Sequence, residues 1–334
     1  MSSLKRSKIS GTGHYVPDQI IKNEDLAKMF PTSDEWIRQR SGIEERRWAP
    51  LGTKNTDLGL EASKRALEDA KISTNDIDLI IYATLSPDYE FPGCGCILAS
   101  KLGIPGIPAF DIRQQCSGFI YGLSMANSFI ASGQYKKILF VCSEIHSNGL
   151  DKSEQGRDIA VLFGDGAAAL VLESSESADS GFLHAELHSD GTYATELFVE
   201  MPCSYVEGRI SEVHIREGRH FPKMNGRRVF QHAVTKMPEV LLSVLRETNL
   251  KVSDIDLLIP HQANLRINQT VAQGLGIDDS KVYNNIQKYG NTTAATIPLA
   301  LDEARKAGRI QDGDLLAFVA FGAGFTWAAA LMRM

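Results

Sequence analysis

The chain has 334 residues, of which 43% are hydrophobic and 23% are charged, as in an ordinary globular protein. A chain of this length can form one large domain or two halves with a shared core. Its formal net charge of −6 argues against a general nucleic-acid binder, whose surface would be basic.

The sequence favours a reducing, cytoplasmic location. Residues Met1 to Pro17 carry positive charge but no apolar run, so we expect no secretory signal. The five cysteines are an odd number and contain no Cys-x-x-Cys pair, so we expect neither a disulfide framework nor a metal site.

In the first half of the chain, predicted strands alternate with predicted helices. Apolar spacing predicts helices over residues 56–70, 91–102 and 116–133, and strands over residues 78–84, 109–113 and 136–143. Such alternation is typical of parallel sheets that are covered by helices.

In the second half, the same spacing predicts helices over residues 224–250, 264–275 and 294–307. Residues 315–332 then form 18 positions without a charge, the lower limit for a membrane span. Because Gly322 and Gly324 interrupt this segment, we expect two buried strands around a glycine turn and no membrane partner.

Two pairs of similar segments predict an internal duplication. Residues 67–84 align with residues 245–262 without a gap, and each segment is a helix end followed by a short apolar run. Residues 161–172 and 316–332 then share a Phe-Gly-x-Gly motif followed by small apolar residues. We therefore predict two α/β halves, residues 1–175 and 176–334, that pack as five layers with helices between two sheets.

Cys116 is the candidate nucleophile. It follows a predicted strand and begins a predicted helix, where free backbone N–H groups and the helix dipole would lower the pKa of its thiol. A buried structural cysteine is the alternative interpretation, since cysteine is among the most buried residue types.

His261 and Asn291 complete a set suited to thioester chemistry. His261 follows an apolar run, at the end of a strand where ligands of open α/β sheets bind. Asn291 precedes a predicted helix and could also serve as its N-cap. A thiol can take an acyl group, while an imidazole and an amide can stabilise the charge that decarboxylation creates.

Several motifs resemble the β-ketoacyl-acyl-carrier-protein synthase III family, which are condensing enzymes of the thiolase fold. The resemblance runs almost from end to end and includes the Cys116 segment. Its other motifs are residues 32–37, 40–43, 163–167, 224–226, 229–230, 261–264, 290–292 and 321–327. The resemblance implies a five-layered αβαβα homodimer built from two duplicated thiolase-like halves.

The resemblance also implies roles for the three candidate residues. Cys116 would be the nucleophile, while His261 and Asn291 would bind the malonyl thioester carbonyl and stabilise its enolate. The backbone N–H groups of Cys116 and Gly324 would form the oxyanion hole.

Further roles follow from the same resemblance. They are coenzyme A binding by Trp36, Arg40 and Arg157, an acyl pocket with Phe119 and with Phe91 from the partner subunit, and carrier-protein docking by Arg266.

The implied activity is the condensation of an acyl-CoA primer with malonyl-acyl carrier protein to give a 3-oxoacyl-carrier protein, which initiates fatty acid synthesis. No metal or redox cofactor is implied. One alternative is a specialised relative with another acyl donor or acceptor, because Gln115, Ser117 and the long segment 196–221 depart from the family pattern. A non-catalytic acyl-binding partner subunit is the alternative of another class.

Overall fold

A computed structural model describes residues 5–175, 177 and 180–334. The α-helices are α1 (Asn23–Leu26), α2 (Asp34–Ser41), α3 (Asn55–Ala70), α4 (Cys94–Lys101), α5 (Gly118–Ala131), α6 (Arg157–Ala160), α7 (Glu212–Arg216), α8 (Gly226–Glu247), α9 (Leu265–Leu275), α10 (Ile286–Tyr289) and α11 (Thr296–Lys306). The strands are β1 (Ser7–Tyr15), β2 (Ile20–Lys22), β3 (Glu45–Arg47), β4 (Leu79–Ala83), β5 (Ala109–Ile112), β6 (Lys137–Glu144), β7 (Gly166–Ser174), β8 (Gly181–Ser189), β9 (Leu197–Val199), β10 (Pro222–Met224), β11 (Leu257–Pro260), β12 (Leu315–Gly322) and β13 (Thr326–Arg333).

Two sheets repeat one topology. The first has the strand order β1-β7-β6-β4-β5, in which β4 is parallel to β5 and β6, and β7 is antiparallel to β1 and β6. The second has the order β8-β13-β12-β11 with the same orientations. A parallel bridge between Leu258 and Val282 lies where β5 lies in the first sheet. Duplicated halves would produce this repetition.

Helices α5 and α11 lie between the two sheets. Phe119 of α5 stacks on Phe140 of the first sheet and meets Phe318 of the second sheet edge-on, at ring separations of 5.8 and 5.5 Å. One apolar cluster therefore joins both sheets through these helices. Helix α3 packs on the outer face of the first sheet and helices α8 and α9 on that of the second, which confirms the predicted five layers.

The predicted boundary at residues 175 and 176 falls beside residues 176, 178 and 179, which lie outside the described residues. Strand β7 ends at Ser174 and belongs to the first sheet, whereas β8 begins at Gly181 and belongs to the second. We propose that the two halves meet between these strands.

Most predicted elements are confirmed, but several helices begin one to three residues later than predicted. The uncharged segment at residues 315–332 forms the antiparallel pair of β12 and β13, and no described helix has the length and apolarity that a membrane span requires. The helix predicted from residue 91 begins at Cys94, because Pro92 and Gly93 disfavour an earlier helical turn. The helix predicted from Cys116 begins at Gly118, after a 3₁₀ turn over Gln115–Ser117.

A glycine substitution tests the packing of the central helices. A Cβ atom at Gly122 of α5 would overlap the ring of Phe140, so we expect Gly122→Ala to lower the free energy of unfolding by about 1–3 kcal/mol. Gly274 of α9 has nothing within 4 Å of such an atom, so Gly274→Ala should leave stability unchanged or raise it by about 1 kcal/mol. Thermal unfolding of both variants measures the contrast, and equal midpoints would contradict this packing.

Candidate active site

Cys116 lies in the turn between β5 and α5, against the end of β12. Only 7% of the residue is exposed. A Cβ atom at Gly322 would lie 2.6 Å from Cys116 Cβ and 3.1 Å from Sγ, so a side chain there would displace the cysteine. The second half of the chain thus fixes the position of the candidate nucleophile of the first.

The expected low pKa of the Cys116 thiol was wrong. Burial, and to a smaller extent the nearby carboxyl group of Glu144, raise this pKa to about 12. The backbone N–H groups of Cys116 and Ala323 act in the opposite direction but do not compensate. Cys116 also precedes helix α5 by two residues and does not begin it, so the thiol is protonated at neutral pH.

His261 follows β11 and is 2% exposed. Its Nδ1 lies 2.6 Å from Thr296 Oγ1, while its Nε2 is buried without a hydrogen-bond partner in the described part of the chain. Burial lowers the pKa of His261 to about 3, so the imidazole is neutral and one ring nitrogen is available to a substrate.

Asn291 is held by the opposite half of the chain. Its backbone N–H donates to Leu162 O at 2.8 Å, and its carbonyl accepts from Gly164 N–H at 3.1 Å. The preceding Gly290 has a φ of 63°, and a Cβ atom there would lie 2.7 Å from Leu162 O. Only glycine avoids both the strain and the overlap, so Gly290 permits this connection.

Thr293 links the three candidate residues. Its N–H donates to Asn291 Oδ1 at 2.8 Å, which leaves the Asn291 amide N–H groups available as donors. Its carbonyl oxygen lies 3.0 Å from Thr296 Oγ1, and Thr296 Oγ1 lies 2.6 Å from His261 Nδ1. Thr293 also lines a cavity together with Cys116, whereas His261 and Asn291 are not among the lining residues. Hydrogen-bonding contacts of Thr293 therefore connect the cavity beside Cys116 to Asn291 and, through Thr296, to His261.

This cavity has a volume of about 530 Å³, in the range of small-molecule sites. It is lined by Leu85, Ser86, Arg113, Gln115, Cys116, Ile145, His146, Gly149, Leu150, Phe163, Ala194, Leu197, Phe198, Val199, His220, Pro222, Thr293, Ala323 and Gly324. Of the described residues that line it, none is acidic.

The second predicted oxyanion donor, the backbone N–H of Gly324, stays a prediction. Ala323 and Gly324 both line the cavity. The backbone N–H groups of Cys116 and Ala323 lower the pKa of the Cys116 thiol, which makes Ala323 a further candidate for this role.

The two predicted acyl-pocket residues do not line the cavity of this chain. Phe119 is fully buried in the core between Phe140 and Phe318, so its assignment to the pocket was wrong. Its helical spacing fitted a core residue equally well. Phe91 is 82% exposed and lies outside the cavity lining, so its expected role in a partner's pocket stays a prediction.

The predicted coenzyme A residues lie together. The guanidinium carbons of Arg40 and Arg157 lie 4.2 and 4.6 Å from the centre of the Trp36 ring. Trp36 packs in the same apolar cluster as Phe163 and Leu150, which line the cavity. A flat aromatic ring between two cations suits a purine with phosphates.

Arg266, the predicted docking residue, lies in the first turn of α9. Its guanidinium carbon is 5.8 Å from the centre of the Phe230 ring. Asn264, the N-cap of the same helix, donates to Arg40 O at 2.8 Å. Arg266 is therefore near the Trp36 cluster.

Sequence reasoning missed Glu144 and His146. Both are buried, with His146 Nε2 at 4.0 Å from Glu144 Oε2. Burial raises the pKa of Glu144 to about 8 and lowers that of His146 to about 4, so both are largely uncharged at neutral pH. Two ionisable residues directly after the apolar run of β6 were the available signal.

The buried histidines should make stability depend on pH. The folded-state pKa values of His146 and His261 lie below the ordinary value of 6.5, so the unfolded chain binds more protons in acid and stability falls below about pH 6.5. At about pH 5 each histidine should account for a loss of about 2 kcal/mol. Denaturant unfolding of His146→Leu should therefore show a weaker acid dependence than the parent protein.

Glu144 changes the pH dependence of stability in the opposite direction. Its pKa is raised in the folded state, so the folded protein loses stability as the pH rises from 4.5 towards 8. Glu144 is present in both the parent protein and His146→Leu, so the difference between their pH dependences reports the contribution of His146. Equal pH dependences in the two proteins would mean that His146 is not buried in the neutral form.

The fold and the site define a thiolase-fold enzyme with a cysteine, a histidine and an asparagine. A family model described as 3-oxoacyl-[acyl-carrier-protein (ACP)] synthase III matches residues 110–191, and the model of its C-terminal part matches residues 245–334. The chain is 45% identical over 325 residues to the β-ketoacyl-[acyl-carrier-protein] synthase III of Caldanaerobacter subterraneus subsp. tengcongensis, covering 97% of each chain. The protein belongs to the β-ketoacyl-acyl-carrier-protein synthase III family.

Solved structures of related proteins support the same family assignment. The crystal structure of 3-oxoacyl-[acyl-carrier-protein] synthase III from Aquifex aeolicus VF5 superimposes with a TM-score of 0.90 and 42% identity, covering 98% of this chain and 100% of that one. The priming β-ketosynthase of the R1128 polyketide biosynthetic pathway superimposes with a TM-score of 0.89 and 29% identity, covering 100% and 98%.

Proposed function

We propose that this protein is a β-ketoacyl-acyl-carrier-protein synthase III that condenses an acyl-CoA primer with malonyl-acyl carrier protein and so initiates fatty acid synthesis. The observation that carries this proposal is the position of Thr293, which lines the cavity beside Cys116 and is linked to Asn291 and, through Thr296, to His261. Family membership over nearly the full chain supports the same activity.

In the first half-reaction, Cys116 takes the acyl group from coenzyme A. The thiol loses its proton and its sulfur attacks the thioester carbonyl, and the departing coenzyme A thiolate takes up a proton. The backbone N–H of Cys116, with that of Gly324 or Ala323, would stabilise the tetrahedral oxyanion, and the nearness of the Ala323 N–H to the thiol supports this role. A thiol with a pKa of about 12 is a weak nucleophile at neutral pH, so bound primer must assist its deprotonation or its attack.

In the second half-reaction, malonyl-carrier protein loses carbon dioxide. The resulting enolate oxygen would accept hydrogen bonds from His261 Nε2–H and the Asn291 amide, and its carbon would attack the acyl group on Cys116. The Cys116 thiolate then leaves and takes up a proton, and the product is a 3-oxoacyl-carrier protein. The free Nε2 of His261 and the oriented amide of Asn291 support these roles.

Acyl transfer to Cys116 tests the first half-reaction directly. The protein is incubated with acyl-CoAs of increasing length and its intact mass is measured, beside Cys116→Ser. We expect a gain of one acyl group in the parent protein and none in the variant. Condensation activity that survives Cys116→Ser would overturn the assignment of the nucleophile.

Thr296 should decide which nitrogen of His261 carries the proton. Its hydroxyl has one proton and two acceptors, His261 Nδ1 at 2.6 Å and Thr293 O at 3.0 Å. His261 can donate from Nε2 only when Thr296 donates to Nδ1. We expect Thr296→Val to slow decarboxylation of malonyl-carrier protein about 10-fold to 100-fold, with Cys116 acylation much less affected.

The two half-reactions are separated by measuring carbon dioxide release on pre-acylated enzyme and acyl transfer on free enzyme. Thr296→Ser keeps the hydroxyl and is the matched control, which should retain most of the decarboxylation rate. Equal losses in both half-reactions of Thr296→Val would indicate a structural role only.

The remaining proposals concern partners and location. Trp36, Arg40 and Arg157 would bind the adenine end of coenzyme A, and Arg266 would contact the acidic carrier protein. We propose a homodimer, supported by the 82% exposure of Phe91, and a cytoplasmic location, supported by five cysteines that are all unpaired.

A second candidate is a specialised relative with a different acyl donor or acceptor. The polar residues His146, His220 and Arg113 in the cavity favour it, as does the structural likeness to a priming ketosynthase of a polyketide pathway. A strong preference for another donor or acceptor in the acylation experiment would support this candidate.

A further inference from the structure

The cavity beside Cys116 is apolar on most of its surface but contains a buried imidazole. Leu85, Ile145, Leu150 and Phe163 line the cavity and suit a hydrocarbon chain. His146 lines the same cavity, with 11% of its side chain exposed and its ring centre 4.7 Å from that of Phe163. An apolar acyl chain alone gives no reason for an imidazole here.

The hydrogen bonds of His146 place its proton. Its Nε2 lies 2.5 Å from Thr293 Oγ1, and the Thr293 hydroxyl has no other partner among the described residues. The hydroxyl proton of Thr293 takes part in a hydrogen bond only if Thr293 donates it to Nε2 of His146. Nε2 is then the acceptor, so the proton of the imidazole ring lies on Nδ1. Nδ1 makes no hydrogen bond within the described chain and His146 lines the cavity, so its N–H is available to a molecule bound there.

This donor is neutral. Burial lowers the pKa of His146 to about 4, and the adjacent Glu144 has a pKa raised by burial to about 8. None of the described residues that line the cavity is acidic, so the chain itself supplies no carboxylate to accept this hydrogen bond. A neutral N–H in an apolar wall suits a neutral acceptor oxygen better than a carboxylate, whose desolvation costs more.

We propose that the acyl group that this protein loads onto Cys116 carries a keto or hydroxyl oxygen, which accepts a hydrogen bond from Nδ1–H of His146. This inference rests on the proposed acyl transfer to Cys116. A plain alkyl chain would cover the same N–H and leave it unpaired, which is the unfavourable case for a buried donor. The volume of about 530 Å³ leaves room for a chain longer than acetyl.

The test uses acyl-CoAs of equal chain length that are unsubstituted, carry a keto or hydroxyl group at successive carbons, or end in a carboxylate. The kcat/KM for acylation of Cys116 is measured by intact mass. We expect at least one oxygenated primer to exceed its unsubstituted counterpart about tenfold, the effect of one good hydrogen bond. His146→Leu should abolish this preference, so that the oxygenated and unsubstituted primers acylate Cys116 with similar kcat/KM.

Two matched variants in the same cavity provide the controls. Ile145→Val changes the volume without removing a polar group, so it should alter oxygenated and plain primers by the same factor. His220→Leu removes the other imidazole of the cavity, whose Nδ1 is buried without a partner, and should leave the ratio near its parent value.

Each other outcome overturns the proposal. Three results would each exclude His146 as the residue that selects the primer. They are a preference for plain primers at every position, an unchanged ratio in His146→Leu, and a ratio that depends on His220. A preference for the primer with a terminal carboxylate would mean that the cavity selects an anionic acceptor and not a neutral oxygen. If no coenzyme A ester acylates Cys116, the proposed function itself fails, which is distinguishable from acylation by plain primers alone.

Discussion

The close approach of the start of helix α5 to the 3₁₀ turn before helix α11 is the constraint on which the site depends. A Cβ atom at Gly118, where α5 begins, would lie only 3.2 Å from Ala294 Cβ, just before α11. Because the two helices begin side by side between the sheets, the turn before each one opens into the same cavity. Cys116 comes from one turn and Thr293 from the other. The duplicated fold therefore supplies the nucleophile from one half and the groups around it from the other.

Burial then sets the chemistry of the site. The same enclosure that raises the pKa of Cys116 and Glu144 lowers that of His146 and His261, so four ionisable groups are mostly neutral at pH 7. Neutral donors in a low-dielectric site stabilise a charge that develops during reaction without holding a charge beforehand. The resting protein avoids buried unpaired ions, which would cost much more than neutral groups.

Thr293 has an unusual conformation that serves this arrangement. Its φ of 53° is rare for a β-branched residue, and it lets one residue contact Asn291 through N–H, Thr296 through its carbonyl and His146 through its hydroxyl. The residues proposed for decarboxylation and for primer selection are thus connected through a single backbone position. A change in the acyl cavity at His146 can therefore affect the orientation of Asn291.

The sequence by itself determined the alternating elements and the family, and it predicted the duplication and the three candidate residues of the site, because periodicity and rare motifs are local properties of the chain. It did not determine the pKa of Cys116, since burial depends on every neighbour and Gly322 lies about 200 residues away. The spacing of Phe119 fitted core and pocket equally, and only the two facing sheets showed that it is core. The nearness of the Ala323 N–H to the Cys116 thiol, and the link from His146 to Thr293, also required the tertiary structure. Hydrogen bonds between distant segments depend on distances and directions that no local pattern encodes.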